Sequence, residues 1–304
     1  MRAVQVPMLG DASVLQVVEL DDPVPGAGEV LIDVAFAGIN FIDTYQRAGL
    51  YPMELPFVAG SENSGTVSAV GAGVDRFAVG DRVAVMQGSG GYATKRIAAA
   101  DTVVQVPAAV PLDKACAAMI QGMTAHYLTV DTYPLGPGDK CLIHAAAGGT
   151  GRLAVQFAKN AGAEVFATVG SEDKAAIAKN AGADHTILYR DVSFAAEVQR
   201  ISGEERPLDV VFDGVGKAVF EESLSVLRPR GLMCTFGNAS GAVEPISPLV
   251  LSTNGSLFLT RPTLFHYVDP VERLDAKADW GDRDRCDRHC NRHDLLTRRG
   301  WPSS

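Results

Sequence analysis

Residues 144–151 read His144-Ala145-Ala146-Ala147-Gly148-Gly149-Thr150-Gly151. The stretch closes a short apolar run, CLIHAA, and opens residues 151–162, where Leu153, Phe157 and Ala161 fall four apart as on one helix face. Set against G-x-G-x-x-G, it puts Ala146, Gly148 and Gly151 at the three small positions. A small first residue permits a tight turn, Gly148 lets the backbone approach a pyrophosphate, and Gly151 lets helix and strand pack closely with the phosphate over the helix N-terminus. A glycine cluster alone is a weak signal. Between a strand and a helix, with further strand–helix pairs behind it, the cluster predicts a dinucleotide loop lined by Ala147, Gly148, Gly149, Thr150 and Gly151.

Those further pairs follow in order. AEVFATVG, HTILY, LDVVFDGVG, GLMCTFGN and GSLFLTRP read as strands, and DKAAIAKNAGA, VSFAAEVQRI and AVFEESLSVL as helices. Strand–helix alternation at this rhythm predicts an α/β fold with a parallel, doubly wound (Rossmann) sheet. Upstream, the first ~125 residues read as β-rich. Glu29–Val34, Gly65–Val70 and Asp81–Met86 alternate with a period near two, between Gly, Pro and Asp punctuation. A helical stretch is predicted over Leu112–Val130, with Pro111-Leu112-Asp113 as its capping sequence and the Pro/Gly-rich 131–140 as a linker. The expected division is a β-rich domain over 1–125, a dinucleotide domain over 126–265 and a C-terminal segment over 266–304.

The chain has 304 residues, 47% hydrophobic and 21% charged, which excludes a wholly disordered or collagen-like chain. Its 27 basic and 36 acidic residues give a net charge of −9, which argues against nucleic acid as the main ligand. No apolar run approaches the ~20 residues that span a bilayer. The N-terminus lacks a signal pattern, and five scattered cysteines form no disulfide framework. A soluble cytoplasmic protein is expected.

The second strand of the dinucleotide domain bears on coenzyme choice. An acidic residue at its end would accept from the adenosine ribose 2′-hydroxyl and repel a 2′-phosphate. Gly170 occupies that place, followed by Ser171, which can donate to phosphate, and Lys174, which supplies charge; Tyr189 can close over the same group. Glu172 and Asp173 run against this, although at a helix start they suit the dipole. The preference predicted is NADPH.

Several stretches together resemble the zinc-independent quinone oxidoreductases, zeta-crystallin type, of the medium-chain dehydrogenase/reductase superfamily. They are AGINFIDTYQRAGLYP (37–52), GSENSGTVSAVGAGVDRFAVGDRV (60–83), QGMTAHYL (121–128), HAAAGGTG (144–151), FDGVG (212–216), RGLMCTFGNASGAV (230–243) and LTRPTL (259–264). The resemblance covers about residues 1–268. It implies a distorted β-barrel (GroES-like) catalytic domain beside the Rossmann domain, with the substrate in the cleft. Zinc-dependent relatives hold catalytic zinc with Cys, His and Cys, and the matching positions here are Asn40, Ser61 and Gln121. Neutral amides and a hydroxyl do not form the thiolate and imidazole set that zinc needs, so no metal is expected.

The resemblance also places residues. Asn40, Tyr45 and Gln121 are the polar groups expected near the acceptor, with Tyr45 either donating a proton or packing. Phe41, Ile42, Asp43, Thr44 and Thr124 are expected at the nicotinamide end, with Tyr127 flanking the cofactor; Tyr51 is a candidate to line the cleft. Gly149 and Thr150 would touch the pyrophosphate and Gly214 would leave room for the ribose. Phe236, Gly237, Asn238, Ala239, Leu259, Thr260 and Arg261 would frame the nicotinamide. His126, His144, His185 and His266 read as structural or surface residues, and Cys116, Cys141 and Cys234 as buried thiols.

The last 34 residues, 271–304, depart from the family. They hold 15 of the 63 charged residues, both tryptophans and seven arginines, with almost no apolar periodicity. We read this segment as frame-shifted or disordered sequence, which the coding DNA in the neighbouring frames would test. Cys286, His289, Cys290 and His293 have the spacing of one helical face, but their surroundings are too poor in core residues for a metal site.

The expected activity is NADPH-dependent reduction of a quinone by metal-independent hydride or electron transfer. Reduction of an enone or alkenal double bond, and cofactor binding with little turnover, remain open as alternatives. The expected partners are a small quinone or conjugated carbonyl, and a second copy joined through the edge strand Gly255–Thr260 in a homodimer.

Overall fold

A computed structural model describes residues 1–86 and 88–268. Its described residues fall into two units, Met1–Met123 with Val268, and Thr124–Tyr267. In the first unit, β1 (Arg2–Val6) pairs antiparallel with β2 (Gln16–Glu19) and, after β3 (Glu29–Gly38) and α1 (Phe41–Ala48), with β4 (Phe57–Val58). The larger sheet contains β3, β5 (Glu62–Val70), β6 (Arg82–Met86), β7 (Lys95–Ala99) and β8 (Val103–Gln105) in the antiparallel order β7-β3-β5-β6-β8. Val30, Ile32, Val67, Val83, Val85 and Val103 pack its core. Their branched side chains fit a pleated, buried face, which is why these segments are strands. β3 and β5 run further than the alternation over Glu29–Val34 and Gly65–Val70 predicts. β5 starts at Glu62 because Glu62, Asn63 and Ser64 are polar yet buried, so the apolar pattern misses them.

The predicted helix Leu112–Val130 is less regular than its spacing suggests. It runs as α2 (Leu112–Ala117), a π-turn over Ala118–Gly122, α3 (Met123–His126) and a second π-turn over Tyr127–Thr132. Pro111 stands at the N-cap with no side-chain cap, so the capping expectation fails: proline has no side-chain acceptor to offer.

The second unit alternates as expected: β9 (Lys140–Ile143), α4 (Gly149–Ala161), β10 (Glu164–Val169), α5 (Glu172–Ala181), β11 (His185–Leu188), α6 (Phe194–Ser202), β12 (Leu208–Asp213), α7 (Phe220–Val226), β13 (Leu227–Thr235), α8 (Leu249–Thr253) and β14 (Phe258–Thr260). Four-residue α9 (Phe265–Val268) ends the described chain. The strands form one parallel sheet in the order β11-β10-β9-β12-β13-β14. Leu142, Phe166, Ile187, Val211 and Met233, from successive strands of the fold, are buried in one cluster with Phe194, Val198, Phe220 and Leu224 of the covering helices. Burial on both faces explains the near-continuous apolar runs. The order of the strands reverses beside β9, with β10 on one side and β12 on the other, so the loops after β9, β10, β12 and β13 lie at the carboxyl ends of the strands, where open α/β sheets bind ligands. The segment beyond Val268, with its cysteine–histidine spacing, lies outside the described residues. Among the described residues no helix is long and apolar enough to cross a membrane.

Candidate active site

The loop after β9 is built by backbone bonds. His144 N donates to Phe212 O and Ala146 N to Thr168 O, which tie the turn to the two neighbouring strands. Ala145 takes the left-handed conformation, at φ 51°, and Gly148 N donates back to Ala145 O at 2.9 Å. The tight turn therefore falls on Ala145 and not on Ala146, which is fully buried; Ala146 is small because it packs under the loop. Gly148 is the N-cap of α4, and the first helical bond is Arg152 N to Gly148 O. The N–H groups of Gly149, Thr150 and Gly151 precede that bond and point out of the helix start. A Cβ on Gly151 would overlap Ala145 O, so this glycine is required by the close approach of helix and loop. A Cβ on Gly148 would meet only Ala145 O, at 3.2 Å, leaving the remaining side open. This glycine-lined turn with N–H groups aimed outward fits a pyrophosphate.

Beneath it, His144 is buried between Thr168 Oγ1 (2.8 Å from Nδ1) and Ser223 Oγ (2.9 Å from Nε2). Its reading as structural agrees with that enclosure. Burial alone pushes the imidazole down to about 3.

At the end of β10, a Cβ on Gly170 would come within 3.3 Å of both Tyr189 Oη and Arg190 Nε. Ser171 Oγ caps α5 by accepting from Lys174 N at 3.4 Å, a local role the sequence reading did not assign. Ser171, Lys174, Tyr189 and Arg190 are exposed. Arg190 escaped the sequence reading, which stopped at Tyr189. Its cue is the neighbouring position: a tyrosine and an arginine together after the third strand, facing a glycine where an acid would stand.

The loops after β12 and β13 interlock. Buried Asp213 accepts from Val215 N at 2.7 Å and Gly216 N at 2.9 Å, and burial raises its carboxyl above the usual range against those bonds and the charge of Arg261. A Cβ on Gly214 would lie 3.0 Å from the Phe236 ring, so the space this glycine leaves is taken up by that side chain. Gly237 is equally confined by Gly214 O, and Ala239 N donates to that same oxygen at 3.3 Å. With its amide oxygen turned to the guanidinium, Asn238 accepts from Arg261 Nη2 at 3.1 Å. Leu259 and Thr260 lie on β14 just before Arg261. Tyr127 is buried and stacks on Tyr267 with centroids 4.3 Å apart, and Thr124 is buried in the same unit.

In the first unit, Asn40 is the N-cap of α1. Its Nδ2 donates to Glu62 Oε1 at 2.8 Å, and its Oδ1 accepts from Gln121 Nε2 at 3.2 Å. Asp43 is buried and committed inside the unit: it accepts from Asn40 N (2.9 Å), Ser61 Oγ (2.7 Å) and Tyr92 Oη (2.6 Å). Its carboxylate thus ties the start of α1 to Ser61 and Tyr92. Thr44 likewise turns back, donating to Phe41 O at 2.7 Å. Phe41 is exposed and Ile42 half-buried, while Tyr45 packs edge-on against Tyr51 with centroids 5.3 Å apart. Glu62 was not singled out from sequence, because it lies ahead of the alternation that starts at Gly65.

Asn40, Ser61 and Gln121 are therefore bonded to one another or to Asp43 and Glu62. Two amides and a hydroxyl supply neither thiolate nor imidazole, and this donor set does not fit zinc. Among the described residues no group of three or more His, Cys, Asp or Glu side chains is arranged to hold a metal ion.

Comparison with known proteins bears on both units. Residues 26–137 match the alcohol dehydrogenase GroES-like domain and residues 149–268 the zinc-binding dehydrogenase family. A quinone oxidoreductase of Pseudomonas aeruginosa is 43% identical over 281 residues, 91% of this chain and 86% of that protein. A 2-haloacrylate reductase of a Burkholderia species is 42% identical over 259 residues, 83% of this chain and 78% of that protein. The crystal structure of Escherichia coli quinone oxidoreductase complexed with NADPH superposes with a TM-score of 0.89 at 40% identity, covering 91% of this chain and 86% of that one.

Proposed function

The chain belongs to the quinone oxidoreductases of the medium-chain dehydrogenase/reductase superfamily, and from that membership we propose that it reduces a quinone with NADPH and without a metal ion. The observation that carries the metal-free reading is the Asn40–Gln121 hydrogen bond at the positions where zinc-dependent relatives have cysteines. Bound NADPH supplies a hydride. The residues of this chain seat it, with Ala147 to Gly151 around the pyrophosphate and Ser171, Lys174, Tyr189 and Arg190 around the adenosine 2′-phosphate. A quinone is already electrophilic and needs no Lewis acid, only donors for the oxygen on which charge develops. Each amide nitrogen of Asn40 and Gln121 carries a second N–H for that purpose, and the Tyr45 hydroxyl is a third donor. Ile39 and Phe41, exposed on either side of Asn40, suit a flat apolar acceptor. Water supplies the proton that completes the hydroquinone.

The 2-haloacrylate reductase relative supports a second reading, reduction of a conjugated carbon–carbon double bond. NADPH oxidation with a panel of quinones and a panel of enones separates the two, run with and without a chelator. Turnover on quinones that survives chelation is the expected result. Activity lost to the chelator and restored by zinc would overturn the metal-free reading. The same proposal includes a cytoplasmic location and a homodimer paired through β14.

A further inference from the structure

Glu62 is fully buried, and nothing in the proposed chemistry uses it directly. Its two oxygens hold two different elements: Oε1 accepts from Asn40 Nδ2 at 2.8 Å, and Oε2 from Ile120 N at 2.7 Å. Ile120 lies in the π-turn that also carries Gln121. The carboxylate thus bridges the start of α1 to the turn that presents the second amide. Space for it is provided by Gly38, where any Cβ would overlap the carboxylate. Burial raises the Glu62 carboxyl to about 7, with Asp43 of α1 adding to the rise and Asn40, Ile120 N and Arg96 of β7 opposing it. Tyr92 and Cys116 of α2 also feel its charge.

With both oxygens accepting, Glu62 is bonded as an ionised carboxylate, which only accepts hydrogen bonds and which predominates above neutral pH. Asn40 must therefore turn its nitrogen to Glu62 and its oxygen to Gln121, which must answer with its nitrogen, leaving the second N–H of each amide for the acceptor. One charge dictates the polarity of the whole chain of amides. We infer that Glu62 is a positioning residue that fixes both the place and the orientation of the Asn40–Gln121 pair for the carbonyl of the acceptor. The inference rests on the reading that these amides meet the acceptor. A glutamine at 62 keeps the volume but sets an N–H against either Asn40 Nδ2 or Ile120 N, so the pair must turn over or separate.

The test compares wild type, Glu62→Gln, Glu62→Asp, Asn40→Ala and the Asn40→Ala/Glu62→Gln double variant, each as the full chain with NADPH. Glu62→Gln is expected to leave the NADPH dissociation constant within about twofold while lowering kcat/KM for a soluble benzoquinone by about tenfold or more. Glu62→Asp, which keeps the charge on a shorter arm, recovers part of that loss. In the Asn40→Ala background the second substitution should cost clearly less than it does in the wild type, because the Asn40 arm of the bridge is already gone and only the hold on the Gln121 turn remains. Equal factors in both backgrounds, or an unchanged kcat/KM in Glu62→Gln, would overturn the inference. The Asn40 side-chain amide signal in asparagine-labelled protein gives a readout independent of turnover: it must move in Glu62→Gln, and a signal that stays in place also overturns it. A wild type that binds NADPH yet reduces no quinone sinks the functional reading alone, and the amide signal still decides the positioning role. Should Glu62→Gln not fold, Glu62→Asp tests the placing role alone: its shorter arm should lower kcat/KM and move the Asn40 amide signal, and a variant like the wild type in both overturns the inference.

Discussion

The Nε2 atom of His144 lies 2.9 Å from Ser223 Oγ, and the serine's own proton is already given to Val219 O at 2.6 Å. Ser223 can therefore only accept from the imidazole, so His144 carries its proton on Nε2 and accepts from Thr168 Oγ1 on Nδ1. The neutral ring links β9, β10 and α7 directly below the glycine-lined turn. Its folded pKa is depressed to about 3, against roughly 6.5 when unfolded. The unfolded chain thus binds more protons between those values, and stability is lost as the pH falls from 6.5 towards 3. The slope is about 1.4 kcal/mol per pH unit, so urea unfolding at pH 5 should give about 2 kcal/mol less from this group than at pH 7. His144→Gln should flatten that part of the profile; an unchanged profile would show that other groups set the acid sensitivity.

Gly148 and Gly151 should respond differently to the same methyl group. Gly151→Ala forces Cβ into Ala145 O, and the loop must shift, at a cost of about 1–3 kcal/mol in stability together with coenzyme affinity. Gly148→Ala meets one oxygen at 3.2 Å and should fold within about 1 kcal/mol of wild type. Its methyl nevertheless occupies the side a pyrophosphate approaches, so NADPH affinity should fall by about tenfold or more. Thermal unfolding and NADPH fluorescence titration on both variants check this. Equal NADPH affinity in Gly148→Ala and wild type would remove that side of the loop from the coenzyme site.

The contrast between these glycines and Glu62 shows what a single sequence makes legible. Gly148 and Gly151 are readable because a phosphate loop needs small residues at fixed spacing between a strand and a helix, and all of those conditions are local. The parallel sheet is readable for the same reason, since apolar runs and helical spacing repeat through it. Glu62 depends on Gly38, Asn40 and Ile120, which meet only in three dimensions. Asp43 shows the opposite failure: its place in the motif was visible, but not that Ser61 and Tyr92 take up its carboxylate. The π-turns around Met123 were invisible because α- and π-turns share their local apolar signal.

Arg190 should govern coenzyme choice. Its Nε would lie 3.3 Å from a Cβ at Gly170, beside Tyr189 Oη, at the strand end where an acid would select against a 2′-phosphate. Arg190→Ala should raise the NADPH dissociation constant by about tenfold, equivalent to about 1.4 kcal/mol, and leave the NADH constant within about twofold. Fluorescence titration with both coenzymes measures the ratio. Parallel weakening of NADPH and NADH would mean that Arg190 supports the loop and does not read the phosphate.

The edge of the parallel sheet sets the last expectation. β14 ends the strand order and pairs with β13 on one side. Phe258 is 58% and Leu259 38% exposed there, and Leu249 of the preceding α8 is 72% exposed. A strand edge flanked by apolar side chains is a surface that proteins normally cover, and a twofold axis would let β14 of each copy pair with the other. Light scattering after size exclusion should give twice the chain mass of 32.1 kDa at micromolar protein. Phe258→Lys puts a charge on the edge without removing a backbone donor, and should shift the mass towards the monomer while NADPH binding persists. If the wild type elutes at the monomer mass across that range, β14 is not the pairing edge and its exposed apolar residues must be accounted for in another way.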